Sequence, residues 1–416
     1  MAAGFWRNWN TPEGLDIRWQ IAVFLIALFA VFTRLPGALL HAQFFAEDGW
    51  VWYQQAYNLG WARSLAITHG GYLQTLPRLV AAISLLFPMQ WAPLVMNVAG
   101  AVIQVLPVTA LLSRRCVPWG PMPLRMLIAA LYLALPNAPE VHVVITNAMW
   151  HLAVLQLLLA LSAPLGWQGR IVDTLVFTVG SVSGPFSLLL LPCTAVYWWV
   201  RRQRWTLAVL GIMFLGSTLQ VLSFLHSVRN PEAAPLGANS FALLRIIAGD
   251  IFVDSMTGGG GPFLPVSMLL VGAAGGFAVL FCGWRSAPLP GKLAVVFAIL
   301  VLLASLKDPL VLVSLIPRWE VLANATGIRY WFLPSLMFLW SIAWCAWGEK
   351  SVPLRYAAVA ILLLTLICAG RKWIYPPWPE GNFSADSARF RTLQPGEHML
   401  FTVFDPGDRK MELIKR

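Results

Sequence analysis

Residues 19–50 read WQIAVFLIALFAVFTRLPGALLHAQFFAEDGW, and this stretch decides the fold. Residues 19–40 form an apolar run that is long enough for an α-helix to cross the hydrocarbon core of a membrane. The acidic residues Glu47 and Asp48 follow at the point where such a run meets water. We therefore expect a membrane segment that brings two carboxylates to the membrane surface.

The composition extends this prediction to the whole chain. The 416 residues are 58% hydrophobic and 11% charged, whereas soluble domains carry about 25% charged residues. Apolar runs recur along the sequence, so we predict an all-α polytopic membrane protein. A β-barrel is disfavoured because its strands would alternate polar and apolar residues. The net charge of +11 is scattered through short loops, which is typical of topology signals and argues against a nucleic-acid partner.

About eleven apolar runs are predicted to cross the membrane, after a short polar leader at residues 1–18. The run from 168 to 200 is divided at Ser183-Gly184-Pro185, because glycine followed by proline breaks a helix. The predicted crossings are residues 19–40, 93–112, 125–139, 149–165, 168–183, 185–200, 205–226, 263–283, 291–306, 329–347 and 354–370.

The basic loops set the predicted orientation. Loops rich in arginine and lysine face the cytoplasm. If residues 71–88 crossed the membrane, Arg114 and Arg115 would lie outside. We therefore predict that residues 71–88, which contain Pro77 and Arg78, form a juxtamembrane helix in the first outside loop. This places the N-terminus in the cytoplasm and the C-terminus outside, and the sequence suits the inner membrane of a bacterium.

The predicted domains are a transmembrane module at residues 1–370 and a short extracytoplasmic tail at residues 371–416. The aromatic residues from Trp373 to Trp378 are predicted to anchor the tail at the membrane interface. Residues 398–404 and 411–414 read as two strands around a turn at 405–408. We predict a small β-hairpin, too short to fold as an independent domain.

The acidic pair has two readings. In the functional one, either Glu47 or Asp48 is a general base at the membrane surface, and the other orients it. Neighbouring helix residues point about 100° apart, so the two carboxylates do not both serve one atom. In the alternative reading, Asp48 merely caps or begins a helix over residues 50–59, because acidic residues suit helix N-termini.

Other polar residues of the outside loops are substrate-binding candidates. Arg329 and Tyr330 begin the tenth crossing, where an arginine fork could bind phosphate oxygens or serve as an interfacial anchor. Lys307 is a second cation, with an ion pair to Asp308 as its alternative. The remaining candidates are Glu140, Asn147 and His69.

A metal site is the alternative use of some of these groups. Glu47, Asp48, His69 and either His142 or His151 carry oxygen and nitrogen ligands that would suit a divalent metal. No ligand spacing specifies such a site, so we predict no metal and no other cofactor.

Four motifs follow one another along the chain: Phe45-Ala46-Glu47-Asp48-Gly49, Leu76-Pro77-Arg78 to Leu86-Phe87-Pro88, Ser183-Gly184-Pro185 and Gly327-Ile328-Arg329-Tyr330-Trp331-Phe332-Leu333-Pro334. Their order resembles the GT-C superfamily. These integral-membrane glycosyltransferases use polyprenyl-phosphate sugars and include mannosyl- and aminoarabinosyl-transferase branches. The chain departs from the pattern where Ser183 replaces a frequent lysine, and where the second outside loop has Glu140 and Asn147 in place of an aspartate.

The resemblance implies a glycosyltransferase that moves a sugar from a polyprenyl-phosphate carrier to a glycan or lipid hydroxyl outside the membrane. It implies that the acidic pair is catalytic, with Asp48 as the base, and that Arg329 lies near the carrier phosphate. Membrane lipids are the other expected partners. Two alternatives stay open: a transporter or flippase of lipid-linked sugars, and a non-catalytic membrane subunit.

Overall fold

A computed structural model of the chain describes residues 15, 17–227, 234–311, 315–379, 381–404 and 408–416. The described chain is mostly helical and has one two-stranded sheet, as predicted. Most of the predicted leader, residues 1–14 and 16, lies outside the described residues. The first ten α-helices are α1 Ile17–Arg34, α2 Gly37–Leu40, α3 Gln54–Leu59, α4 Trp61–Leu65, α5 Thr75–Ser84, α6 Ala92–Leu112, α7 Met122–Ala134, α8 Ala148–Ala160, α9 Gly166–Ser181 and α10 Phe186–Arg201.

The second half continues the helical pattern and ends in the sheet. The remaining elements are α11 Arg204–Leu225, α12 Ser240–Leu244, α13 Asp254–Thr257, α14 Val266–Ser286, α15 Leu289–Lys307, α16 Arg318–Leu322, α17 Phe332–Gly348, α18 Val352–Arg371, α19 Phe383–Arg391, β1 His398–Thr402 and β2 Lys410–Ile414. Two π-helical stretches span Asp48–Tyr53 and Arg245–Val253, and the 3₁₀ turns span Met89–Trp91, Arg114–Trp119, Pro139–Val141, Gly261–Phe263 and Ile328–Trp331.

Each of the eleven apolar runs forms a helix. Six helical segments of the described chain are long and apolar enough to cross a membrane. Three of the other runs form apolar helices of 10–17 residues, namely Met122–Ala134, Ala148–Ala160 and Phe186–Arg201. The count of about eleven crossings therefore stays a prediction. The six segments are Met89–Leu112, Arg204–Leu225, Val266–Ser286, Leu289–Lys307, Ile328–Gly348 and Val352–Arg371.

The segment predicted to lie at the interface forms α5, which has 10 residues. A helix of this length extends about 15 Å, half the thickness of the hydrocarbon core. The predicted break at Ser183 is confirmed, because α9 ends at Ser181 and α10 begins at Phe186. The break also holds the start of α5: the Leu76 amide donates to Ser183 Oγ at 2.9 Å.

The predicted hairpin is present, with antiparallel pairing from His398 opposite Ile414 to Thr402 opposite Lys410. Residues 405–407 of its predicted turn lie outside the described residues. Phe383 and Phe401 of the tail share a buried apolar cluster with Phe44, in the segment that follows α2. The tail therefore packs against the loop that carries the acidic pair.

The predicted interfacial anchor is wrong for Tyr375, which is buried inside the protein. Its ring lies 4.2 Å from the guanidinium of Arg34, and the Trp373 ring lies 5.1 Å from the same group. Arg34 donates to the carbonyl oxygens of Leu133, Leu135 and Trp373 at 2.5, 3.1 and 3.2 Å. Arg34 thus ties the start of the tail to the end of α7, because its fork satisfies carbonyls that helix ends leave unpaired.

Candidate functional site

Asp48 is fully buried and holds its two carboxylate oxygens in different environments. Its Oδ1 accepts hydrogen bonds from the Thr146 amide at 2.9 Å and from Thr146 Oγ1 at 2.5 Å. Its Oδ2 has no hydrogen-bond partner among the described residues. Trp52 Nε1 donates to Thr146 Oγ1 at 2.7 Å, so the hydroxyl hydrogen of Thr146 is directed to Asp48. Oδ1 is therefore fixed by Thr146, whereas Oδ2 is buried without a hydrogen-bond partner.

The alternative reading of the pair is confirmed in part, because Asp48 begins a helix but no side-chain capping bond is present. Asp48 is the first residue of the π-helical turn Asp48–Tyr53, and Glu47 takes the N-cap position without a side-chain capping bond. The Asp48 carboxylate points instead to Thr146, 98 positions later in the chain. Its position at a helix start therefore does not explain its burial.

The two segments that meet at this contact both have strained backbones. Ala46 has φ of 42° and Val143 has φ of 64°, and such left-handed conformations are costly for residues with a Cβ. The Ala46 amide donates to the Phe404 carbonyl at 2.6 Å, and the Val143 amide donates to Gln104 Oε1 at 3.1 Å. These bonds keep the loops in the conformation that brings Asp48 to Thr146.

Glu47 and His69 lie beside this contact. Glu47 is half-buried, and its charge acts on both the His69 ring and the Arg329 guanidinium. The His69 ring lies edge-on to Trp50 and Trp52, with ring centroids 5.7 and 5.2 Å apart. Burial is the main cause that lowers the pKa of His69, against the opposing charge of Glu47. His69 is thus held neutral near the acidic pair.

Four of the other candidates form one cluster. Arg329 Nη1 pairs with Glu140 Oε2 at 3.0 Å, and Arg329 Nη2 donates to the Leu310 carbonyl at 3.2 Å. Asn147 Nδ2 donates to the Glu140 carbonyl at 2.7 Å, and the Leu310 amide donates to the Tyr330 hydroxyl at 2.8 Å. Glu140 is therefore a partner of Arg329, and most of the Arg329 fork is occupied by protein groups.

Lys307 is exposed at the end of α15. The ion pair predicted between Lys307 and Asp308 is wrong, because Asp308 Oδ1 pairs with Arg318 Nη1 at 2.6 Å. Lys307 is therefore separate from the ion pair that fixes this loop.

The histidines considered for a metal site have structural partners. His142 bonds Gln104 and the Val31 carbonyl at 3.0 Å each, and His151 bonds Tyr132 and the Val141 carbonyl at 2.7 and 2.8 Å. Within the described ranges, no group of three or more histidine, cysteine, aspartate or glutamate residues could hold a metal ion.

Comparison with protein-family models, with curated proteins and with solved structures found no significant match for this chain. The resemblance to the GT-C superfamily therefore rests on the four sequence motifs, and the residues of the site must be judged by their own geometry.

Arg78 has the most unusual geometry of the cations at this site. It is fully buried on α5, and Nη1 donates to Gln55 Oε1 at 2.7 Å. Its Nε and Nη2 have no hydrogen-bond partner among the described residues. The guanidinium lies 4.8 Å from the centroid of the Trp52 ring, the same ring whose N–H donates to Thr146. Arg78 and Asp48 are thus connected through Trp52.

The tail hairpin contributes to the same region. The Phe404 amide donates to the Phe44 carbonyl at 3.2 Å, and Asn58 Nδ2 donates to the Glu412 carbonyl at 2.8 Å. The Arg409 guanidinium lies 4.0 Å from the centroid of the Trp50 ring. These contacts place a cation of the tail beside the aromatic residues that surround His69.

The sequence reasoning missed four contributors: Thr146, Trp52, Gln55 and Arg409. Thr146 and Gln55 are ordinary loop and helix residues, and their roles depend on contacts with distant parts of the chain. The signal that was available is Arg78, the single charged residue between Arg63 and Arg114. We noted it as an obstacle to a membrane crossing, whereas its lack of a carboxylate partner became visible only in the structure.

Proposed function

We propose that the chain is a membrane glycosyltransferase that moves a sugar from a polyprenyl-phosphate carrier to an acceptor hydroxyl. Reaction takes place on the extracytoplasmic face of a bacterial inner membrane, and the acceptor is a glycan or lipid of the envelope. The observation that carries the proposal is the Asp48 carboxylate, which is buried, fixed through one oxygen by Thr146 and bare at the other oxygen.

This geometry suits a general base. Burial raises the pKa of Asp48 to about 7, although the two hydrogen bonds from Thr146 oppose the rise. A base whose pKa lies near the working pH is both partly ionised and strong enough to accept a proton. Thr146 fixes the carboxylate through Oδ1, so Oδ2 is the oxygen left to accept a proton.

In the proposed step, Asp48 Oδ2 takes the proton of the acceptor hydroxyl as that oxygen attacks the anomeric carbon. The bond from the anomeric carbon to the phosphate oxygen breaks, and its electron pair leaves with the polyprenyl phosphate. Attack opposite the leaving group inverts the anomeric configuration. A phosphate leaving group needs no proton, so one carboxylate is sufficient, unlike the two of a glycosidase. Glu47 serves to orient Asp48 and His69.

Charge placement favours an enzyme over a transporter or flippase. Every charged residue of the six candidate spans stands within four positions of a segment end, as for Lys292, Arg329 and Arg355. Transporters place ionisable residues deep in their helices and carry internal repeats. Asp48 and Arg78, the charges of the candidate site, both lie outside these six segments.

The test is transfer activity in membranes supplied with radiolabelled polyprenyl-phosphate sugars, including mannose and aminoarabinose donors. We expect Asp48→Asn to abolish transfer to endogenous acceptors, and Glu47→Gln to weaken it. Asp386→Asn, on the tail, is the matched control. Full transfer by the Asp48→Asn, Glu47→Gln double variant, present at the wild-type level in the membrane, would refute the mechanism and leave a transporter or a non-catalytic subunit.

The proposed topology has eleven crossings with the N-terminus in the cytoplasm, and it has its own test. In a variant without the five native cysteines, single cysteines at Ser113 and Ala385 should react with an impermeant maleimide from opposite sides. Labelling of Ala385 only from the cytoplasm would invert the topology and place the acidic pair on the wrong face.

A further inference from the structure

The unpaired guanidinium of Arg78 needs a partner that the described chain does not supply. The residue is 0% exposed, and neither Nε nor Nη2 donates to any described group. No carboxylate lies within 4.0 Å of it among the described residues. A buried charge without an opposite charge is costly, and buried arginines are therefore almost always paired. Arg125 also leaves Nε and Nη2 without partners, but its Nη1 donates to two carbonyl oxygens, whereas Arg78 makes one hydrogen bond and lies beside the candidate base.

Neighbouring residues hold the guanidinium of Arg78 in one orientation and leave two of its nitrogens unpaired. Gln55 holds Nη1 at 2.7 Å, and the Trp52 ring covers one face of the guanidinium at 4.8 Å. Two hydrogen bonds hold the backbone at the start of α5, which carries Arg78. Gln220 Oε1 accepts from the Leu73 amide and Ser183 Oγ accepts from the Leu76 amide, both at 2.9 Å. The remaining Nε–H and Nη2–H point in parallel from one edge of the guanidinium, which is the geometry that binds two oxygens of one anion.

The position of Arg78 and its two unpaired donors indicate the kind of anion. Arg78 and Glu47 both act electrostatically on His69, so Arg78 lies near the acidic pair. Asp48 is held by Thr146 and has no ion pair with Arg78. Two parallel donors match the oxygens of a phosphate group, and the Arg329 fork is already bound to Glu140 and Leu310.

We infer that Arg78 binds a phosphate oxyanion through Nε and Nη2, and that this phosphate is the one that joins the sugar to its carrier. The second part rests on the proposed function, whereas the anion site itself does not. Arg78 would hold the phosphate in the ground state and stabilise the charge that develops on it when the sugar leaves. Arg329 then serves to fix the loop at Glu140.

Binding can be measured without transfer. The full chain is placed in nanodiscs of phosphatidylcholine, and the quenching of tryptophan fluorescence is titrated with decaprenyl phosphate, decaprenol or inorganic phosphate. We expect decaprenyl phosphate to bind and decaprenol to bind at least tenfold more weakly. Arg78→Gln should weaken binding of decaprenyl phosphate about tenfold to a hundredfold, because two charge-assisted hydrogen bonds are lost. Arg78→Lys should restore part of the affinity.

Arg63→Gln is the matched control, since Arg63 is an exposed arginine of the same outside loop. The anion site is overturned if Arg78→Gln binds both decaprenyl phosphate and inorganic phosphate with the affinity of the wild type. The variant protein must elute as a single species and unfold at the wild-type temperature. If Arg78→Gln weakens inorganic phosphate but leaves decaprenyl phosphate unchanged, the assignment to the carrier is overturned.

The Asp48→Asn variant separates this inference from the proposed function. It should bind decaprenyl phosphate as the wild type does, because Asp48 does not touch the guanidinium. If Asp48→Asn retains transfer while Arg78→Gln loses binding, the proposed base is wrong and the phosphate site stands.

Discussion

Arg115 and Arg78 are both buried, and the two regions around them satisfy their hydrogen bonds differently. At the end of α6, Arg115 binds both carboxylate oxygens of Asp173, at 2.5 and 3.0 Å, and also the Ser162 hydroxyl and the Leu159 carbonyl. Trp205 Nε1 donates to Asp173 Oδ2 at 2.8 Å. Arg78, on the loop side of the bundle, makes one hydrogen bond, and Asp48 near it leaves one oxygen bare.

The difference separates a structural network from a binding site. The Arg115 network has a cation, its anion and the extra donors and acceptors that a buried ion pair requires, so it has no capacity left for a ligand. In the network around Trp52, Asp48 and Arg78 do not pair with each other. Oδ2 of Asp48, and Nε and Nη2 of Arg78, have no hydrogen-bond partner among the described residues. Unsatisfied buried groups lower stability, so each calls for an explanation, such as a catalytic role or a bound ion.

The largest effect on transfer should come from removing the Asp48 carboxylate. We expect Asp48→Asn to lower transfer by about 10²–10⁴-fold, the usual contribution of a general base. Because the pKa of Asp48 is raised to about 7, wild-type transfer should rise between about pH 5 and pH 8 and then level off. Transfer at saturating donor, measured across this range in isolated membranes, checks both. A wild-type rate that falls as pH rises would contradict the role of base.

The same substitution should stabilise the protein. A carboxyl group whose folded pKa lies above its unfolded value favours folding while it is protonated, and that stability is lost as the pH rises from about 4 to about 7. Asp48→Asn should therefore unfold at a higher temperature than the wild type at pH 8, and the gain should vanish at pH 4. Scanning fluorimetry at the two pH values gives the comparison.

The next effect is a difference in stability between variants of the two arginines. Arg115→Met leaves Asp173 as a buried, unpaired charge, which should cost about 3–5 kcal/mol of stability. Arg78→Met removes a charge that has no anion, so its stability should be unchanged or higher. Unfolding temperatures of the ligand-free protein in one detergent test the contrast, with Arg63→Met as control. A similar loss in both variants would mean that Arg78 is as well satisfied as Arg115.

A smaller effect should follow from loosening Asp48. Thr146→Val removes the hydroxyl that donates to Oδ1 but keeps the backbone donor and the shape of the side chain. The pKa of Asp48 should rise further, because Thr146 opposes the effect of burial. We expect transfer at pH 7 to fall about tenfold, or about 1.4 kcal/mol, and to recover as the pH is raised to 9. A loss that does not recover at high pH would assign Thr146 a purely structural role.

Local pattern predicted much of the fold. The apolar runs marked eleven of the helices, the Gly184-Pro185 pair marked the break before α10, and alternation after His398 marked the hairpin, since these signals act within one or two turns of the chain. The site could not be predicted in this way. Asp48 and Thr146 are 98 residues apart, and Asn58 and Glu412 are 354 residues apart. Whether Arg78 lacks a carboxylate depends on every neighbour at once, which no motif records.

The smallest effect tests whether an unsatisfied buried charge alone indicates function. Asp250 is 2% exposed, its Oδ2 has no partner among the described residues, and Asp254 lies one turn away. Burial first, and then the charge of Asp254, raise the pKa of Asp250 to about 8. Among the described residues, the arginine that acts on Asp250 is Arg245, which donates to Pro262 and Asn324, so Asp250 has no neighbouring cation comparable to Arg78. We therefore assign Asp250 no role in transfer.

Asp250→Asn should leave transfer unchanged and stabilise the protein by about 1–3 kcal/mol at high pH. The sign follows from the raised pKa: the wild type keeps this stability below about pH 4 and loses it as the pH rises towards 8. The unfolding temperatures of the variant and the wild type should therefore coincide at pH 4 and separate by pH 9. A loss of transfer in Asp250→Asn would show that an unsatisfied carboxylate can act without a neighbouring free cation. The presence of Arg78 would then no longer distinguish Asp48 from Asp250.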